Sequence, residues 1–577
     1  MSTESNYWQR AVPRRYTRRS LLRGTAIGLA GVAGASLLAC RSTNTPLTAP
    51  GGAAGSATGQ PQSGDVFNNY VAANLSGLDP MVGSSASAGI VNNSAYVGLF
   101  RFKTSTDPRT TLNLEPESNL ATSIESPDGL TWTVKLRTDT VFHNIAPVNG
   151  HPITSEDVKA SFQRSFATPN NTSISLINMI DPTQISTPAV DTVVFKLRSV
   201  FGPFHLTLAG AGASGSIMPR EALAGSFDPG KTVIGSGPLM WDSYAPDIAI
   251  NLKRHPGWFE KGQPYVDGVK VAIIPDPAQQ LAQFTAGHID SVRPTPKDLP
   301  TVQQNNPKAA VFGVPSSRSW VYFGHMDRPN TAFYDVNVRR AMSMAMDRAT
   351  MAKAIFGSDF SNNGVIPAAL GTSALTADQL GDASQWYKFN PEEARKLIAA
   401  TPAIKQIRRF LYPTPTYGAQ FETLCTTAVS MLNAVGLQIQ AVPIDYNKDF
   451  INGGKGALYG NYPDDAVLAS TQGVHNDAGS TLLYNYQSNN DHNLPKVSDK
   501  QIDAMMDKMN TTLDESAHLM AVLDIQRAAA AQVYFIPLPS EYAYTAVQPW
   551  VYNYQYSSSG NVSEGPNTLS RLWLKRS

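Results

Sequence analysis

The chain has 577 residues, of which 42% are hydrophobic and 16% charged, and its 46 basic and 45 acidic side chains leave a net charge of +1. This balance excludes the strongly basic surface that nucleic-acid binding requires. The length suffices for two or three domains of ordinary size after any leader is removed.

The N-terminus carries the pattern of a bacterial export signal. Arg18 and Arg19 form a twin-arginine pair, and an uncharged Ala/Gly/Leu-rich run at 24–39 follows. The run is shorter than the roughly 20 apolar residues that span a bilayer, which disfavours the alternative of an uncleaved membrane anchor. Leu37-Leu38-Ala39-Cys40 resembles a lipobox, whose Cys is lipidated, although Leu38 replaces the usual small residue. Cleavage elsewhere therefore stays open.

Only two cysteines occur, and we interpret them separately. Cys40 ends the export signal, and residues 41–64 after it are rich in Gly, Ala, Ser, Thr and Pro, which predicts a flexible tether. Cys425 falls on the apolar face of a helix predicted at 421–435 and is interpreted as a buried core thiol. An exported protein works without cytoplasmic ATP or NAD(P)H, so no cofactor is expected.

The first half alternates predicted strands with helices. Strands are predicted at 131–137, 191–197 and 248–253, where apolar and polar residues alternate or β-formers cluster. A helix begins after Thr154, whose hydroxyl is placed to accept a backbone N–H while Asp157 favours the positive helix end.

The second half is more helical. One helix is predicted from the cap Asp335 to Phe356, with a stripe of Val338, Ala341, Ala345, Ala349 and Ala352, and another starts at Asn390-Pro391. Further elements are the helix at 421–435, a strand at 437–442, and helices at 498–510 and 515–533. Strands alternating with helices predict an α/β protein.

Two sequence patterns resemble enzyme motifs, but the residues around them do not support a catalytic function. Residues 225–232 fit a phosphate-binding P-loop, but that loop must lead into a helix whose amides hold phosphate. Here a helix-like segment precedes it, and Gly235 and Pro238 follow within a few residues. The nine histidines show no metal-binding spacing, and acidic pairs such as Asp464-Asp465 resemble solvated loops. No catalytic or metal-ligating residue is therefore predicted.

Several segments, in order, resemble the oligopeptide/dipeptide-binding (family 5) class of extracytoplasmic solute-binding proteins of ABC importers. The most specific is Asp335 to Arg348, close to "D-x-x-V-R-x-A … A-I-D-R". The other matching pieces are Leu78-Asp79-Pro80, Ala95 to Phe100, Glu115 to Ala121, Ser126 to Arg137, Phe142-His143, Pro152 to Val158, Gly235 to Leu239, Gly287 to Asp290, and Phe389 to Leu397.

The resemblance implies a two-lobed, periplasmic-binding-protein-like α/β fold with a hinge and an extra subdomain in lobe one. Residues 1–40 are then the export signal, 41–64 the tether, 65–312 with 541–577 lobe one, and 313–540 lobe two. Its implied partners are a peptide-like or other polar solute, an ABC permease, and the outer face of the cytoplasmic membrane through lipid on Cys40. A monomer is expected.

The resemblance also implies ligand contacts. In peptide-binding members an Asp of lobe two meets the ligand's α-amino group, and the nearest counterpart here is Asp477 within His475-Asn476-Asp477, although the family's following Pro is missing. Asp464 lies in a competing alignment, and a capped turn is the structural alternative for Asp477. Trp320 and Tyr322, on one face of a strand leaving the hinge, are interpreted either as ligand-stacking or as core residues. The alternative function is an exported, tethered hydrolase of peptides or oligosaccharides.

Overall fold

The structure is a computed structural model. It describes residues 60–576 except 76, 83–85, 107–114, 170, 172–176, 211–214, 316–318, 358–359, 453–454, 472–476, 489, 491–492 and 556–565. The predicted export signal with Arg18, Arg19 and Cys40, most of the tether, and His475 and Asn476 lie outside the described residues. Within the described part of the chain, no helix combines the length and the apolar character needed to cross a membrane.

Helices and strands are mixed along the described chain, with some runs of consecutive strands and of consecutive helices. The helices are α1 (Ala86–Ala95), α2 (Ser155–Ala167), α3 (Phe204–Gly210), α4 (Arg220–Leu223), α5 (Pro277–Thr285), α6 (Leu299–Asn305), α7 (Val336–Met344), α8 (Arg348–Phe356), α9 (Pro391–Ala400), α10 (Gly418–Ala434), α11 (Ala478–Tyr486), α12 (Lys500–Thr511), α13 (Glu515–Gln532) and α14 (Pro566–Arg571). The strands are β1 (Val66–Val71), β2 (Phe100–Phe102), β3 (Pro116–Ser118), β4 (Ala121–Glu125), β5 (Thr131–Leu136), β6 (Ser186–Ala189), β7 (Thr192–Lys196), β8 (Leu239–Ala245), β9 (Ala249–Arg254), β10 (Gly268–Ile273), β11 (Ser291–Val292), β12 (Ala310–Pro315), β13 (Ser319–Phe323), β14 (Phe360–Asn362), β15 (Arg409–Thr414), β16 (Gln440–Asp445), β17 (Ala466–Thr471), β18 (Phe535–Pro537), β19 (Pro539–Val547), β20 (Val551–Tyr552) and β21 (Trp573–Leu574).

Lobe one contains a sheet with strand order β1-β10-β9-β8 and a second, antiparallel sheet with order β4-β5-β7-β6. Strand β5 shows the predicted alternation, because Trp132, Val134 and Leu136 are buried while the residues between them are more accessible. The core beneath the first sheet joins residues from β1, β8, β9 and β10 to the C-terminal segment around Leu569 and Leu572. Lobe one is thus built from both ends of the described chain.

Lobe two is organised around a sheet with strand order β16-β15-β17-β13-β18. Strands β15, β16 and β17 are parallel to one another, whereas β13 runs antiparallel to β17 and β18 antiparallel to β13. A large core covers this sheet and includes all the residues of β13 from Trp320 to Phe323. Cys425 of α10 lies in this core without solvent exposure, and burial raises the pKa of its thiol, so the predicted core thiol is confirmed.

Two adjacent chain segments connect the lobes. Strand β12 pairs with β19 in lobe one, with Pro315 opposite Tyr542, and the continuing strands β13 and β18 pair in lobe two, with Trp320 opposite Pro537. At the crossing, the backbone N–H of Leu538 donates to Ser319 O at 2.8 Å. The connections therefore form a hydrogen-bonded pair, which suits a hinge about which two rigid lobes turn.

Local helix signals in the sequence are largely confirmed. Asn390 caps α9 by accepting the N–H of Glu393 at 3.1 Å. At α2, the carboxylate of Asp157 accepts the Thr154 N–H at 2.9 Å, and the Thr154 hydroxyl donates to the same carboxylate at 2.8 Å. The predicted start of α2 is confirmed, but the principal hydrogen-bond acceptor at this turn is the Asp157 carboxylate rather than the Thr154 hydroxyl.

The single helix predicted from Asp335 to Phe356 is wrong. Asp335 does cap α7, but the helix ends at Met344 and a new helix, α8, begins when Asp347 accepts the N–H of Thr350 at 3.0 Å. The buried guanidinium of Arg348 donates to the carbonyls of Ser343, Tyr387 and Pro537, which holds the chain in this break. Ala349, predicted to lie on the apolar stripe, is exposed as a result.

The P-loop match is a coincidence of sequence. The short helix α4 precedes it, and the residues from Thr232 to Pro238 run without helix into β8. Lys231 is exposed and lies 3.6 Å from Asp228. The loop therefore has no following helix with which to hold phosphate, as predicted.

Candidate ligand cleft between the lobes

The parallel strands of lobe two end at a common edge of the sheet. Thr414 at the end of β15 lies opposite Asp445 at the end of β16, and β17 ends nearby at Thr471. Because Ser319 at the start of β13 is opposite Thr471, the hinge enters lobe two at this same edge. The edge therefore faces lobe one, and in open α/β sheets ligands bind outside the carboxyl ends of the strands.

An aromatic cluster lies at this edge. Tyr417 follows β15 and Tyr446 follows β16, with their ring centroids 5.6 Å apart at 83°. Phe421 packs edge-on against Tyr417 at 5.1 Å, and Phe450 lies 5.4 Å from Tyr446. Both tyrosines are half-buried, and partial burial with the neighbouring Tyr417 raises the pKa of Tyr446. This wall offers stacking surfaces and phenol hydroxyls to a ligand.

Asp477 precedes α11 as its N-cap residue. It is almost fully buried and caps α11, because its carboxylate accepts the N–H of Ser480 at 2.8 Å and also its hydroxyl. The capped turn that the sequence offered as an alternative is therefore present. Because a carboxylate has further lone pairs, Asp477 can cap α11 and still accept a hydrogen bond from a ligand amine. That contact stays a prediction.

Trp320 and Tyr322 lie on β13 and are 2% and 1% exposed. Tyr322 packs edge-on against Phe535 at 5.1 Å, within the lobe-two core. Trp320 Nε1 and Tyr322 Oη have no hydrogen-bond partner among the described residues. The structure thus places both side chains in the core, and their role toward a ligand stays a prediction, as does that of His475 and Asn476.

A separate group of His151, Asp157 and Glu221 brings possible metal-ligand atoms within 4.8 Å of one another in lobe one. The Asp157 carboxylate already accepts hydrogen bonds from Thr154, and the backbone N–H of Arg220 donates to it at 3.1 Å. The Arg220 guanidinium, 3.8 Å from Asp157, supplies a positive charge at the position. We therefore assign no metal to this group.

Sequence reasoning did not find the aromatic wall. Tyr417 and Tyr446 are 29 positions apart and meet only because β15 and β16 are parallel neighbours. The available signal was an aromatic residue just after each strand, but β15 itself was not predicted. A correct strand assignment would have placed both tyrosines at one carboxyl edge.

Two lobes joined by a paired hinge, with a cleft at the carboxyl ends of strands, define the class of two-lobed binding proteins that close around a ligand. The fold is similar to that of the ABC transporter substrate binding protein CtaP of Listeria monocytogenes, with a TM-score of 0.72 and 20% identity over 89% of this chain and 100% of that one.

Sequence comparison identifies the family. The family described as Bacterial extracellular solute-binding proteins, family 5 Middle, matches residues 115–493, and the chain belongs to it. It is 29% identical over 371 residues to the probable D,D-dipeptide-binding periplasmic protein DdpA of Escherichia coli (63% of this chain, 67% of that protein). It is 27% identical over 275 residues to the oligopeptide-binding protein AppA of Bacillus subtilis (45% and 47%), so the match spans about half of AppA. The alternative reading as a hydrolase has no support.

Proposed function

We propose that this protein is a lipid-anchored receptor on the outer face of the cytoplasmic membrane. It captures a peptide-like or other polar solute between its lobes and delivers it to an ABC permease without chemical change. The single observation that carries the proposal is the family match across 115–493, which includes the strands β12 and β13 and the carboxyl edge of lobe two. Of the two relatives, DdpA is named a probable D,D-dipeptide-binding protein and AppA an oligopeptide-binding protein.

The cleft residues support a peptide-like ligand. The Tyr417 and Tyr446 wall suits side chains of mixed polarity, and the buried Asp477 carboxylate suits a cationic amino group. Trp320 Nε1 and Tyr322 Oη lie buried in the lobe-two core and have no hydrogen-bond partner among the described residues. A buried polar group without a partner costs about 1–3 kcal/mol, so a ligand that reaches either group gains affinity.

The ligand class is tested with matched probes. Native mass spectrometry of the purified protein is followed by calorimetric titration with tetra-alanine, its N-acetylated form, and maltotetraose. We expect tetra-alanine to bind without any cleavage product, and acetylation to weaken it. Asp477→Ala should weaken tetra-alanine and leave the acetylated form little changed, whereas Asp464→Ala, on the exposed and competing acid, should change neither.

Binding of maltotetraose alone would contradict a peptide-like ligand but not a receptor. Cleavage of any probe by the purified protein would contradict the receptor function itself. If Asp477→Ala bound tetra-alanine as tightly as wild type does, and likewise the acetylated peptide, Asp477 would not belong to the ligand site.

The anchor is tested by changing its predicted attachment atom. Cys40→Ser should move the protein from the membrane fraction to the soluble exported fraction, or leave it unprocessed, because the thiol that accepts lipid is lost. Changing Arg18 and Arg19 together to Lys should block export. Unchanged membrane attachment and mass in Cys40→Ser would contradict lipidation, and normal export of the Lys variant would favour the general secretory route.

A further inference from the structure

The lobes meet at a second place, separate from the two hinge connections. On lobe one, the segment 199–205 follows β7 and includes the start of α3. On lobe two, the turn from α12 to α13, called loop 510–515, includes the last two residues of α12 and the first residue of α13. The backbone N–H of Gly202 donates to the backbone carbonyl of Asn510 at 2.6 Å. This hydrogen bond links backbone groups 308 positions apart in sequence and spans the two lobes.

Gly202 is required by the closeness of the loop rather than by its own conformation. The φ of Gly202 is not positive, so a residue with a side chain could adopt this backbone conformation without strain. A Cβ atom at this position would, however, lie 2.3 Å from Thr512 O and 3.0 Å from Thr512 C. Any side chain at 202 therefore collides with lobe two in the arrangement seen here.

Side chains on both sides extend the contact. A Cβ atom at Gly129 would lie 3.0 Å from Leu513 Cδ2 and 2.9 Å from Val200 Cγ1, so both apolar side chains lie against this turn of lobe one. His205 Nε2 lies 3.5 Å from Glu515 Oε1 on the first residue of α13. A backbone hydrogen bond, an apolar contact and a polar pair therefore lie together along one short interface.

We propose that segment 199–205 and loop 510–515 form an interlobe latch that sets how often the cleft is closed. The lobes turn about the paired hinge, and this interface forms only when they are brought together. Its contacts lower the free energy of the closed arrangement alone, which shifts the population toward it. Gly202 and Leu513 are then positioning residues for ligand capture, although neither belongs to the predicted ligand site.

The consequence for affinity follows from the closed population. A ligand that binds the closed form has an apparent dissociation constant equal to its intrinsic value divided by the closed fraction. A latch variant that lowers that fraction tenfold therefore weakens the apparent affinity about tenfold without changing any ligand contact. The effect on ligand affinity rests on the proposed function, whereas the existence of the latch does not.

The test compares two latch variants with matched controls in the full-length protein. Gly202→Ala adds the colliding Cβ, and its control is Gly89→Ala in α1, where a Cβ meets nothing within 4 Å. Leu513→Asp introduces a charge at the apolar contact, and its control is Met520→Asp, another exposed apolar residue of the same region at 54% exposure. Small-angle scattering measures the radius of gyration, and hydrogen–deuterium exchange follows the amide of Gly202.

We expect both latch variants to raise the radius of gyration and to speed exchange at 199–205, while both controls keep wild-type values. Circular dichroism checks that each variant is folded; should Gly202→Ala fail this check, Leu513→Asp decides. Wild-type dimensions and wild-type exchange in folded latch variants would overturn the proposal. Tetra-alanine titration then separates the two claims, because an effect on scattering without any peptide binding keeps the latch and contradicts the peptide-like ligand.

Discussion

Acidification should destabilise lobe one through His143. This side chain is fully buried, and its Nδ1 accepts the N–H of Gly235 at 3.3 Å while Nε2–H donates to Gly237 O at 3.1 Å. His255 stands edge-on at 4.7 Å between ring centroids, and its Nδ1 lies 3.0 Å from the same Gly237 carbonyl. A proton on His143 Nδ1 would face the Gly235 N–H, so the native structure favours the neutral ring.

The magnitude follows from the change in pKa on folding. Burial, together with the neighbouring His255, lowers the pKa of His143 from 6.5 to about 3. Because the folded pKa is the lower one, the full stabilisation exists above pH 6.5 and is lost as the pH falls from 6.5 toward 3. Each pH unit in this window removes about 1.4 kcal/mol, which amounts to roughly 2 kcal/mol at pH 5. Burial also lowers the pKa of His255, which adds to the loss in the same direction.

Urea unfolding at pH 7, 6 and 5 measures this loss. His143→Gln keeps a donor and an acceptor but does not titrate, so its stability should fall less between pH 7 and pH 5 than that of wild type. His288→Gln, on an exposed histidine bonded to Gln283, should keep the wild-type pH dependence. Equal pH dependence in wild type and His143→Gln, or an imidazolium NMR signal for His143 near pH 6, would refute the reasoning.

Three further outcomes are expected. Gly235→Ala should destabilise the protein by about 1–3 kcal/mol or more, the range typical of overpacking, because its Cβ would lie 1.8 Å from Ala95 O. Thermal unfolding measures the loss, and a wild-type melting temperature would contradict it. Asp477→Ala should cost about 1 kcal/mol through the lost α11 cap, while Asp477→Asn should restore most of it; equal loss in both would show that the cap is not the cause. Calorimetry with Mg-ATP should show no binding despite the P-loop pattern, and nucleotide affinity abolished by Lys231→Ala would disprove this.

Local chemistry made much of the fold predictable. The starts of α2 and α9 depend on side chains within three residues of the cap, so Thr154 with Asp157 and Asn390 with Glu393 marked them correctly. Alternation predicted β5 for a similar reason, since every second residue enters one core. The family resemblance supplied the order of the elements, which no local pattern contains.

Elements stabilised by distant partners were harder to predict. Strand β15 contains Pro413, which argues against a central strand, yet the structure tolerates it because β17 pairs only with Arg409 to Leu411. The end of α7 depends on Arg348, whose guanidinium reaches carbonyls from other parts of lobe two. The aromatic wall likewise arises from strand order, so the sequence alone did not predict Tyr417 or Tyr446 as a site residue.

The return of the C-terminal segment to lobe one has a consequence for synthesis of the protein. The carboxylate of Asp290 is wholly buried and receives the guanidinium of Arg576 at 2.7 Å, and the same Arg576 pairs with Asp65 at 2.8 Å beside β1. The Arg576–Asp65 pair joins residues 511 positions apart, and the whole of lobe two is translated between them. A ribosome-bound chain therefore lacks the Arg576 partner of the buried Asp290 carboxylate until residue 576 has been translated, so lobe one completes its folding only after lobe two has been made. Truncation of the chain before Arg576 should leave lobe two intact and lobe one exposed to proteases.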